Sequence, residues 1–144
     1  MIDRKLIRDT VRARLSALTP VCDIFEDEAD SPTRSADGIH VDPYIVFTTS
    51  MGTPSPEVDL ADTAIDLDWW LQVTCAASFK PDILDLVTDV DALLHRWTPT
   101  IPGAVCGPLK TPPGYDPGPV IIDRTVRPYR LWTPLQYRTT LTIT

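Results

Sequence analysis

Two histidines, three cysteines and a dense run of carboxylates are the groups with which this 144-residue chain could do chemistry. A nucleophilic site needs a hydroxyl or thiol beside a histidine that a carboxylate orients. His40 sits in an acidic, loop-like stretch and His95 near the end of a helical pattern. Neither falls in a nucleophile motif, and G-x-S-x-G is missing. His95 reads as a group that favours a helix C-terminus. The phosphate-cradling patterns G-x-x-x-x-G-K and G-x-G-x-x-G are missing too. Cys22, Cys75 and Cys106 are odd in number, far apart and each within two residues of a valine in an apolar neighbourhood. They read as small buried hydrophobes in a reducing compartment, not as a disulfide framework or zinc site. Asp66 and Asp68 share one face of a strand-like segment, just after Glu57, Asp59 and Asp62. A Mg²⁺ or Ca²⁺ site needs several converging oxygens and usually a glycine turn, and no EF-hand pattern occurs. Solvated charge is the expectation for these acids, and for Asp85, Asp89 and Asp91. We expect no catalytic residue, no cofactor and no metal.

The elements that would position these groups follow from periodicity. Ile2, Leu6, Ile7, Val11, Leu15 and Leu18 recur at three- and four-residue steps, predicting an amphipathic helix over Ile2 to Leu18 with basic residues on its other face. Val21 to Asp27 and Pro43 to Thr49 predict strands, separated by a polar loop from Glu28 to Asp42. Ile65, Leu67, Trp69, Leu71, Val73 and Cys75 alternate with Asp66, Asp68, Trp70, Gln72 and Thr74, a strand with one buried and one wet face. Trp70 breaks the polar side: it lies either under a loop or at a partner interface. Ser78 to Trp97 predicts a second helix, with Pro81 in its first turn. Pro99 to Pro119 holds seven prolines and four glycines, a shaped loop with a short extended piece at Ala104 to Cys106. Val120 to Arg127 and Leu135 to Ile143 predict two closing strands. The expected fold is α+β: one domain over residues 1–144, an antiparallel or mixed sheet with two main helices packed on one face.

Composition narrows function further. Apolar residues at 43% and charged residues at 23% exclude wholesale disorder. No run approaches the ~20 apolar residues of a membrane span, and Met1-Ile2-Asp3-Arg4-Lys5-Leu6 does not read as a signal peptide. A net charge of −7 argues against a dedicated duplex-binding protein. That charge is polarised. From Asp23 to Asp68 twelve acids face the single base Arg34, whereas the first helix and the closing strands are basic, with Arg124, Arg127, Arg130 and Arg138. Opposite charge on different surfaces allows copies to associate head to tail, the geometry that closes into rings.

In this order of elements the chain resembles the tail terminator proteins of long-tailed bacteriophages, above all those of actinobacterial phages. The resemblance rests on the leading helix, the Asp42-Pro43-Tyr44-Ile45-Val46 strand opening, the Ile65-to-Cys75 strand, the helix ending at Trp97, and the closing Tyr137-Arg138-Thr139 strand. The Pro99-to-Pro119 insertion departs from the pattern. The resemblance implies a virion protein, assembled in the bacterial host cytoplasm, whose hexameric ring sits at the tail–neck junction. It would cap the tail tube, end tail growth and join the tail to the head connector. Implied partners are other copies, the tail tube protein and the connector, with viral DNA passing through the lumen without specific binding. Acidic residues would suit that lumen because they repel phosphate. Expected interface residues are Trp70, Asp66, Asp68, Arg124, Arg127, Tyr129, Arg130 and Trp132. Other readings are a different phage neck protein, a small metal-dependent enzyme, or a peptide-binding module that uses an exposed sheet edge.

Overall fold

A computed structural model describes residues 3–54 and 65–143. The first helix, α1 (Arg4–Leu15), starts where the Asp3 side chain accepts the Lys5 N–H at 2.9 Å, satisfying one of the free donors at a helix start. Its buried stripe is Ile7, Val11 and Leu15. Strand β1 (Asp23–Glu26) pairs parallel with β2 (Tyr44–Thr49), and the loop between them is pinned by an isolated Arg34–Val41 bridge. Then come β3 (Thr53–Pro54), β4 (Ile65–Ala77), α2 (Lys80–Leu94), β5 (Ala104–Cys106), β6 (Ile121–Asp123) and β7 (Arg130–Ile143). The sheet is mixed and ordered β1-β2-β4-β7-β5, with β3 added to β4 and β6 added to β7. The fold is α+β, with both helices on one face.

Side-chain alternation builds the core. On β4, Leu67, Trp69, Leu71, Val73 and Cys75 turn towards the helices and are at most 4% exposed. They meet Ile45 and Phe47 of β2, Tyr137 and Leu141 of β7, the α1 stripe, and Leu86, Val90 and Leu94 of α2. Full burial of such a side chain contributes about 1.5–3 kcal/mol. Two polar links lock the helices in place. The Tyr137 hydroxyl, deep under α2, donates to Asp91 Oδ1 at 2.9 Å. Arg14 of α1 donates twice to the Leu93 carbonyl, at 3.1 and 2.9 Å, where the last turn of α2 carries partial negative charge.

Several boundaries differ from the expectation. The last strand begins at Arg130, five residues early, and runs through Pro134, which pairs with Thr74. The Pro134 carbonyl points to the outer edge, where it accepts the Tyr115 hydroxyl at 2.8 Å. The missing N–H points the same way, so the ladder to β4 loses no bond and proline is tolerated. The expected Val120-to-Arg127 strand shrinks to β6, because Thr125 closes a turn on Asp123 Oδ1. The proline-rich stretch is a loop with β5 inside it, and it is packed: Ile101 is 4% exposed and Leu109 is fully buried. Gly107 donates to the Thr140 carbonyl, and Lys110 and Arg138 exchange backbone bonds. A Cβ at Gly107 would meet Thr139 Oγ1 at 3.1 Å, so this close approach favours glycine. The loop covers the β7 edge that β5 and β6 leave open, protecting it from strand pairing.

Candidate functional site

Because β4 and β7 pair antiparallel in strict alternation, their even-numbered side chains share the helix-free face of the sheet. Asp66, Asp68 and Trp70 lie towards one end of that face, and Arg130 and Trp132 towards the other. Trp70 sits opposite Arg138 and is 41% exposed, so no described loop buries it. Asp66 Oδ1 accepts the Thr142 hydroxyl at 2.8 Å, and Asp68 is exposed. Six residues, about 20 Å of strand, separate Arg138 from Trp132, so the two groups form no single patch.

At the far end the sequence-predicted residues divide. Trp132 is half-buried against a second small cluster of Val41, Tyr44 and Ala76. Arg130 Nη1 donates to the Tyr44 hydroxyl at 3.0 Å and lies over its ring at 5.7 Å. Both are tied into the fold. Arg124, Arg127 and Tyr129 instead stand free on the β6–β7 hairpin, with the Arg127 guanidinium stacked 4.2 Å over the Tyr129 ring. Around them Ile121, Ile122, Val126 and Tyr129 are 41%, 53%, 37% and 43% exposed. The hairpin is both apolar and basic.

A feature that sequence reasoning missed lies on the helix side of the opposite edge. A groove of about 620 Å³ opens between the start of β1 and α2. Leu18, Val21, Cys22 and Leu86 supply its apolar lining, and Asp23, Asp42, Asp82, Asp85 and Asp89 are the acidic residues along it. Two of these acids are in local use: Asp23 accepts the Thr33 N–H and Asp42 the Ser35 hydroxyl, each at 2.9 Å. Asp82, Asp85 and Asp89 are in no ion pair with any described residue. Their three- and four-residue spacing put them on one helix face in the sequence, but only the fold brings Asp23 and Asp42 across from them. The acidic segment is therefore split. Asp23 and Asp42 belong to the groove and Asp66 and Asp68 to the open sheet face, while Glu57, Asp59 and Asp62 lie outside the described residues.

The groups singled out for chemistry have structural surroundings. Burial, followed by the neighbouring Asp23 charge, pushes the Cys22 thiol up to about 11. Burial raises Cys75 and Cys106 as well, so none of the three is poised as a thiolate. His40 Nδ1 lies 2.6 Å from Asp37 Oδ2, and its ring packs on Phe79 with centroids 4.6 Å apart. The pair pins the loop between β1 and β2. His95 is the exposed C-cap of α2. Among the described residues no group of three His, Cys, Asp or Glu side chains is placed to hold a metal, and no helix is long and apolar enough to cross a membrane.

No protein-family profile and no curated protein matches this chain. Solved structures do. One of them, a chain known by a sequence label alone, is similar over 98% of this chain and 96% of its own, at 13% identity and a TM-score of 0.53. At that identity the likeness concerns the fold, an α+β arrangement held along nearly the whole of both chains.

Proposed function

We propose that this protein is a structural virion protein of the tail terminator kind. It forms a ring, hexameric by resemblance to that family, which caps the phage tail tube, ends tube elongation and joins the tail to the head connector. The observation that carries the reading is the placement of unlike surfaces at opposite edges of one sheet. An acid-lined groove flanks β1, and an apolar, basic hairpin projects beside β7. Such a pair cannot meet within one copy, and between copies it generates a heterologous contact, the kind from which rings are built. The open sheet face with Asp68 and Trp70 is left for the tube or the connector, and acidic lumen groups would let DNA pass without sticking. The reading assigns the protein no catalytic step and no cofactor, and places it in the virion at the tail–neck junction.

The test is made in the assembling virus. A phage lacking this protein is expected to build tails of irregular, excessive length that do not join heads. Normal tail lengths with normal head attachment would overturn the proposal. Tails of normal length left without heads would reassign the chain to another neck protein.

A further inference from the structure

We infer that the β6–β7 hairpin of one copy docks in the β1–α2 groove of a second copy. This deepens the ring reading and rests on it for the identity of the occupant. The two surfaces match in both kinds of chemistry. The groove offers Leu18, Val21 and Leu86 under Asp82, Asp85 and Asp89. The hairpin offers Ile122 and Val126 beside Arg124 and Arg127, all exposed. Val21 at the groove is 86% exposed, an apolar side chain that the single copy leaves uncovered. A volume of about 620 Å³ falls within the roughly 300–1,000 Å³ of ordinary binding clefts.

Geometry makes the contact intermolecular. The groove lies at the β1 edge, and β6 lies beyond β7 at the other edge. Four strand spacings, about 19 Å, separate β1 from β6 within one copy. Both features sit at the same end of the sheet, where the start of β2, the end of β4 and the start of β7 meet. A neighbour translated edge to edge and rotated about a ring axis therefore brings its hairpin level with the groove. The basic face of α1 is the weaker candidate. Arg8 already pairs with Asp9 at 2.8 Å and Glu26 at 3.5 Å, and Arg14 is held by Leu93. Among the described α1 residues, Leu6 is the one large apolar side chain left exposed.

Paired charge reversal tests the contact with the full chain. One variant carries Arg124→Glu and Arg127→Glu, and the other carries Asp85→Lys and Asp89→Lys. Self-association is followed by sedimentation velocity at low salt, with circular dichroism to check that each variant folds. Wild-type protein is expected to associate, and each variant alone to associate at least tenfold more weakly. An equimolar mixture is expected to recover association, because each hairpin then finds a groove of opposite charge in the other variant. Wild-type-like association of either variant alone, or a mixture that does not recover, would overturn the docking. So would wild-type protein that stays monomeric at millimolar concentration. The tail-length experiment judges the ring reading separately, so either idea can fail while the other stands.

Discussion

Trp69 and Trp70 point to opposite faces of β4, at 2% and 41% exposure, and their replacement should separate cleanly. Trp69→Ala empties a site in the core that the sheet shares with the helices and should cost about 3–5 kcal/mol in denaturant unfolding. Trp70→Ala should change stability by no more than about 0.5 kcal/mol. Equal losses would overturn the register, since a one-residue slip exchanges the two faces. The Trp69 indole N–H finds no partner among the described residues, so its burial rests on the ring alone. At the surface, Asp37 gives a pH-dependent contact. Its hydrogen bond with His40, then the N–H groups of Ile39 and His40, lower its carboxyl from 3.8 to about 2. A carboxyl lowered by folding stabilises the folded loop fully above its unfolded value of 3.8, and that contribution is lost as pH falls through about 2. In a carboxyl-observed NMR titration Asp37 should have its midpoint near 2. Asp37→Asn should remove the low-pH loosening of the β1–β2 loop, and a midpoint near 4 would refute the assignment.

At the scale of elements, β7 is the strand on which the sheet depends, because it pairs with β4 along one side and with β5 and β6 along the other. Proline has opposite consequences at adjacent positions of it. Pro134 faces the outer edge, so Pro134→Ala should leave the thermal midpoint nearly unchanged. Leu135 faces β4 with its N–H, opposite Val73, so Leu135→Pro deletes a central ladder bond and should abolish cooperative unfolding. Comparable behaviour of both variants in thermal melts would contradict this arrangement. The proline-rich loop belongs to the same element. Its composition marks it for shape, and the shape serves first to cover a strand edge. Tyr115 bonded to Pro134 and Leu109 bonded to Trp97 and Arg96 hold it there.

At the scale of the whole molecule, opposite charge at opposite edges gives the monomer a direction, and a directional monomer makes rings or filaments more readily than closed pairs. How much of this was legible in the sequence depends on the range of the interactions involved. The two helices, the β4 alternation and the buried face holding Trp69 were legible, because local periodicity dictates them through 3.6- and 2-residue repeats. That Trp70 departs from the polar side was legible for the same reason, but not whether a loop or open solvent meets it. Arg124 and Arg127 stood out by charge alone, and the turn that sets them on a hairpin was not legible. The early start of β7 was not, since Pro128 and Pro134 both argue against a strand unless the partner lies on the side that needs no N–H. Arg130 and Trp132 carried the same residue types as their free neighbours, yet Tyr44, 86 residues from Arg130, ties them into the fold. The groove was hidden most completely. Asp23 of β1, Asp42 of the loop before β2 and Asp85 of α2 are far apart in the chain, and no local pattern records that β1 and α2 flank one opening. Sequence alone determined which residues the two helices and β4 turn inward, because that follows from the backbone repeat. Tertiary structure decided which charges and apolar groups became neighbours, because those contacts depend on how distant segments pack.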